Sequence, residues 1–64
     1  MMSKEHIQIL HFFKENNHFW LNPPYVSQYL KIDKELVKSC LNDLTEENFL
    51  EKKPNHLFYK YKEN

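Results

Sequence analysis

The stretch Asp33–Asn48, DKELVKSCLNDLTEEN, holds the residues of this chain best equipped to act on a partner. Helical spacing buries Val37, Cys40, Leu41 and Leu44, with Leu36 widening that side. Lys34, Glu35, Lys38, Ser39, Asn42 and Asp43 are left toward solvent. A lysine ammonium donates to guanine or phosphate, and an asparagine carboxamide can pair bidentately with adenine. Glu35 and Asp43 repel phosphate, although a carboxylate can accept from cytosine. A helix showing short polar groups and lysines on one side suits insertion in a DNA groove. The plainer reading is a solvated helix face, with Asp33, Glu35, Asp43, Glu46 and Glu47 keeping it in play.

Other chemistries have no footing. The chain has no Gly, hence no glycine-rich phosphate loop, and it shows no nucleophile motif or metal-binding helix motif. Neither an enzymatic activity nor a cofactor is expected. His6, His11, His18 and His56 read as ordinary surface or boundary residues without metal spacing, and Cys40 alone cannot build a structural zinc site. No metal is expected either. Cys40 falls on the apolar side and reads as an inert thiol rather than a redox sensor. Trp20 reads as a core or dimer contact; a base-stacking role would need it exposed.

These residues need elements to hold them. Ser3 can cap a first helix running to about Asn16, with Glu5 placed in its first turn to suit the helix dipole. Its apolar residues, Ile7, Ile9, Leu10, Phe12 and Phe13, cover more of the circumference than one core-facing stripe requires. Either a small domain wraps this helix on two sides, or a second copy of the chain covers the excess. His18–Leu21 is aromatic and suits a short extended strand. Asn22-Pro23-Pro24 caps and starts a second helix, from Pro23 to about Leu30, burying Val26 and Leu30 and partly covering Tyr29. Lys31-Ile32 makes a turn, and Ile32 returns to the core. Asp33 caps the third helix, and Asn48 sits at the left-handed position where Gly often ends one. The runs Phe49–Lys53 and His56–Tyr61 around Pro54-Asn55 read as a hairpin, with Pro at the first corner and Asn at the second.

The chain has 64 residues, 16% of them aromatic, and a single Cys. That means one domain, residues 3–61 between short tails 1–2 and 62–64, with a thin core and no intrachain disulfide. No signal-peptide pattern opens the sequence and no apolar run is long enough for a membrane-spanning helix, so a cytoplasmic protein away from membranes is expected. Nine Lys balance nine acidic residues, and Arg is absent. Charge distribution, rather than the zero sum, then decides what the surface attracts.

The order helix, strand, helix, helix, strand, strand resembles the winged helix-turn-helix family, over Ser3–Tyr61. Ile32-Asp33-Lys34 through Leu44, followed by Glu47-Asn48-Phe49-Leu50, is similar to the recognition helix and first wing strand of MarR-like bacterial and phage regulators, with Asn48 where that family has Gly. The resemblance implies a mainly α fold with a small β-hairpin (α+β). It implies a DNA-binding transcriptional regulator on double-stranded DNA; because one protomer without Arg should bind only modestly, a homodimer or a helper protein is expected with it. Lys34, Lys38, Ser39 and Asn42 would face the major groove, with Lys52, Lys53, Asn55 and His56 forming a wing tip against phosphates or a minor groove. Ser27 and Gln28, and Tyr25 with them, would touch backbone phosphate near the helix start at Asn22. Winged helices also dock on proteins, so a protein-binding module without DNA affinity is the other reading.

Overall fold

A computed structural model describes residues 2–63, so the outermost residue of each expected tail lies outside the description. Three helices and a two-stranded antiparallel sheet follow one another: α1 (Lys4–Glu15), α2 (Pro23–Leu30), α3 (Lys34–Glu46), β1 (Leu50–Lys52) and β2 (Tyr59–Tyr61). The fold is therefore mainly helical with a small hairpin. Its radius of gyration, 10.3 Å, is what a folded chain of this length should have.

Each helix starts where a side chain can accept from the free backbone N–H groups. Ser3 accepts from His6 N on α1, Asn22 from Tyr25 N on α2, and Asp33 from Glu35 and Leu36 N on α3. Pro23 stands at the head of α2, where its missing N–H costs no helical bond. The ends of α2 and α3 use the left-handed conformation without any Gly. Asn48 has φ 67°, and behind it Asn48 N donates to Thr45 O and Phe49 N to Leu44 O. That pair of bonds is the Schellman closure, which satisfies the last carbonyls of α3. Lys31 closes α2 in the same conformation at φ 59°. Ser27 holds it there, its backbone carbonyl accepting from Ile32 N and its hydroxyl donating to Ile32 O at 2.6 Å.

The core is one cluster: Ile9 and Phe13 from α1, Val26 from α2, Val37, Cys40, Leu41 and Leu44 from α3, then Leu50 and Tyr59 from the sheet. Leu10, Phe12, Leu21, Leu30, Ile32 and Tyr61 pack against it, partly covered. Leu36, expected to widen the buried side of α3, is exposed instead. It lies at the margin of that side, in the first turn of the helix. The broad apolar surface of α1 is mostly covered by its own chain. Phe12 meets Tyr29 edge-on at 4.9 Å between ring centroids and Tyr25 at 6.5 Å, leaving Ile7 as the exposed member.

The hairpin pairs Leu50 with Tyr61, Glu51 with Lys60 and Lys52 with Tyr59. Its turn runs from Lys53 to His56, with His56 N donating to Lys53 O and Asn55 at φ 63°, so Pro54 and Asn55 occupy the two corners. The strands are shorter than expected, because after one more ladder bond, Lys53 N to Phe58 O, residues 54–57 form a turn and bend. The strand expected over His18–Leu21 shrinks to a single bridge. Leu21 exchanges two backbone bonds of 2.8 Å with Tyr59, while Phe19 N turns back to Asn16 O. With only Leu21 in register, Phe19 and Trp20 stay exposed.

Asn48 allows a direct check. A Cβ in the left-handed region costs about 1 kcal/mol, and Asn tolerates it better than Ala. Asn48→Ala should lower the melting temperature by about 4–8 °C, and Asn48→Gly should match or exceed the parent, measured by thermal unfolding in circular dichroism. Equal melting of the Ala and Gly variants would contradict the closure described.

Candidate nucleic-acid interface

The helix capped by Asp33 presents its expected residues outward. Lys34, Ser39 and Asn42 are exposed and Lys38 is half-buried. Lys34, Lys38 and Asn42 recur every four residues, so they share one edge of α3. That edge faces the hairpin, because the Tyr59 hydroxyl donates to Asn42 Oδ1 at 3.2 Å. The bond leaves the Asn42 amide N–H groups free but occupies part of the acceptor that adenine recognition would need. Lys38 Nζ lies 3.5 Å from Glu35 Oε2, an exposed pair of the kind that contributes about 1 kcal/mol or less and yields easily to a stronger anion.

Lys52, Lys53, Asn55 and His56 are all exposed around the hairpin turn. The structure thus brings two expected groups into neighbouring positions, one on α3 and one on the hairpin. The third group is less uniform. Gln28 is exposed, and so is Tyr25, whose ring packs beside Phe12. Ser27 gives its hydroxyl proton to Ile32 O, so it has no free donor for a phosphate; the turn after α2 takes it first.

The opposite edge of α3 is acidic. Asp43 turns toward α1, where its carboxylate lies 2.7 Å from His6 Nε2. Asp43, Glu46 and Glu47, together with Met2, His6 and Phe49, line an open hollow of about 510 Å³. His6 is more than a boundary residue: it is 9% exposed. Its Nδ1 accepts from Ser3 N at 3.1 Å and lies 2.7 Å from Ser3 Oγ. Since Ser3 N–H can only donate, Nδ1 carries no proton there, and Nε2–H is the donor to Asp43. The spacing Ser3-x-x-His6 was the available signal, because a side chain at that position of a helix can reach back to the cap.

Against models of protein families, curated proteins and solved structures, the chain matches none.

Cys40 and Tyr59 are the two groups whose protonation the fold alters. Burial raises the Cys40 thiol above its ordinary 9.0, and the negative charges of Asp43 and Glu5 push it further. A buried thiol held protonated is a poor nucleophile. Among the described residues no group of three or more His, Cys, Asp or Glu is placed to hold a metal ion, and no helix is long and apolar enough to cross a membrane.

Of the two places expected for Trp20, the core is excluded, since 37% of it is exposed. Lys53 and Lys60 each place an ammonium 5.7 Å from its ring centroid. No local sequence signal announces this grouping, because hairpin register and the Leu21 bridge create it.

Burial raises the Tyr59 phenol above its ordinary 10.0. The folded state therefore favours the protonated form. Its stabilisation is fully present below about pH 10 and is lost as pH climbs through the raised folded value. Urea midpoints followed by circular dichroism should fall steeply above pH 10, and Tyr59→Phe should make that fall shallower. A variant that loses stability as steeply as the parent would show that Tyr59 is not the responsible group.

Proposed function

We propose that the protein is a small DNA-binding transcriptional regulator of winged helix-turn-helix type. In this reading α3 enters the major groove and the hairpin grips the flanking backbone. What supports it most directly is the placement of one uncovered edge of α3, with Lys34, Lys38 and Asn42, beside the exposed Lys52, Lys53, Asn55 and His56 of the hairpin. Ser39 and Gln28 are exposed as well. Lysine takes the place arginine usually holds at guanine, with one point charge instead of a planar fork. Modest affinity and strong dependence on salt follow.

A second reading is favoured by the acidic hollow of Asp43, Glu46 and Glu47 over Met2 and Phe49. A basic protein segment suits that edge better than DNA does, so a protein-docking module is the alternative.

Gel retardation and anisotropy on duplex DNA separate the two. Lys38→Ala should weaken binding about 5- to 20-fold and flatten the salt slope by about one unit. Asn42→Ala should weaken it too, and Tyr59→Phe, which frees Asn42 Oδ1, should not. Unchanged duplex affinity for both Lys38→Ala and Asn42→Ala would remove the groove assignment, and duplex affinity indifferent to salt would remove DNA altogether.

We further propose that one DNA site takes two copies of the chain, since a lone neutral protomer has few phosphate contacts. Exposed Ile7, Tyr25 and Tyr29 are apolar surface left for a partner copy. A melting temperature that rises with protein concentration is the expected result; concentration-independent melting at monomer mass would eliminate the homodimer.

A further inference from the structure

The side of the sheet turned away from the helices has a composition unlike the rest of the molecule. Side chains alternate along a strand. Leu50, Tyr59 and Tyr61 point to the core, so Glu51 and Lys60 point outward. The ladder continues past the named strands at both ends: Lys53 N donates to Phe58 O, and Lys62 N to Phe49 O. By the same alternation Lys53, Phe58 and Lys62 belong to the outer side, whereas Phe49, just after the left-handed Asn48, turns to the hollow beside α1 and α3. Trp20 joins them, because its neighbour Leu21 bridges Tyr59 with its side chain packed inward.

The outer face therefore carries two aromatic rings, Trp20 and Phe58, both exposed. Three lysines, Lys53, Lys60 and Lys62, stand among them, against a single acidic residue, Glu51. In a chain of zero net charge this is a local positive excess. Lys60 has Glu51 directly across the hairpin, yet its ammonium sits over Trp20.

We propose that this outer sheet face binds single-stranded nucleic acid, with Trp20 as the stacking ring and Lys53 and Lys60 as phosphate contacts. Exposed rings interleaved with lysines meet the two needs of an unpaired strand, a π surface for each base and a positive track for the backbone. A duplex hides its base faces and cannot use the rings. A base arriving on Trp20 displaces the two ammonium groups from the ring toward the phosphates on either side of that base. Exchange of a weak cation–π contact for a charge pair keeps both lysines engaged. This face is separate from the outward edge of α3, and only Lys53 is shared with the hairpin surface assigned to duplex DNA.

Trp20 is the only tryptophan in the chain, so its fluorescence reports this site alone. The full chain is titrated with an oligothymidylate of about 12 nucleotides, with a duplex, and with polyglutamate of equal charge. The expected result is quenching by oligothymidylate that weakens with salt. Trp20→Ala should lower oligothymidylate affinity about tenfold or more, measured by anisotropy of labelled oligonucleotide, and Trp20→Phe should retain most of it. Lys60→Ala should weaken binding and reduce the salt slope, while duplex affinity stays unchanged in Trp20→Ala. Circular dichroism checks the fold of each variant, and the Phe variant carries the test if the Ala variant unfolds. Three results would overturn the proposal: no change of Trp20 fluorescence at saturating oligothymidylate, quenching by polyglutamate or duplex as strong as by the single strand, or full affinity in Trp20→Ala together with loss in Lys60→Ala. Single-strand binding that survives while the α3 variants leave duplex affinity untouched would uphold this site and remove the groove reading.

Discussion

Tyr59 holds three parts of the fold in one place. Its backbone pairs with Lys52 across the hairpin and with Leu21 on the other side. Its ring is buried in the common core at 3% exposure, and its hydroxyl reaches α3 at Asn42. A hairpin of two three-residue strands has too few contacts to stand alone in water. Here it persists because Leu50 and Tyr59 are anchored among Phe13, Leu41 and the other core residues. The position of the hairpin relative to α3, on which both proposed surfaces depend, follows from that anchorage.

Among the described residues three left-handed positions occur without glycine, stabilised in two ways. Asn48 and Asn55 use the residue that tolerates this conformation best after glycine. Lys31 has no such advantage. Its conformation is imposed by the Ser27–Ile32 bonds and by Ile32 packing against the core. The Ser27 hydroxyl closes this turn by donating to the Ile32 carbonyl five residues on.

Neutral composition conceals a divided surface. On α3 the edge toward the hairpin carries Lys34 and Lys38, and the edge toward α1 carries Asp43, Glu46 and Glu47. The outer sheet face adds lysines among aromatic rings. Screening over about 8–10 Å at ordinary salt keeps such regions electrostatically distinct even on a molecule this small, and its longest principal extent is 26 Å. Opposite partners can therefore address opposite sides of a chain whose total charge is zero.

Local signals were enough for the helices. Ser3, Asn22 and Asp33 name their starts, the spacing of Val37, Cys40, Leu41 and Leu44 names the buried side of α3, and Asn48 names its end, since capping and periodicity act within a few residues. The Pro54-Asn55 turn was legible for the same reason. The outward placement of Lys34, Ser39 and Asn42 follows from that periodicity as well. Leu36, also assigned to the buried side, sits at its margin and is exposed. Only the assembled structure decided the rest. It reduced the strand at His18–Leu21 to one bridge, covered most of the apolar surface of α1, drew Asn42 to Tyr59 and His6 to Asp43, and left Trp20 in the open under two lysines. Each of these joins residues distant along the chain, and which of them meet is set by how the helices and hairpin pack, a quantity that no local pattern of side chains encodes.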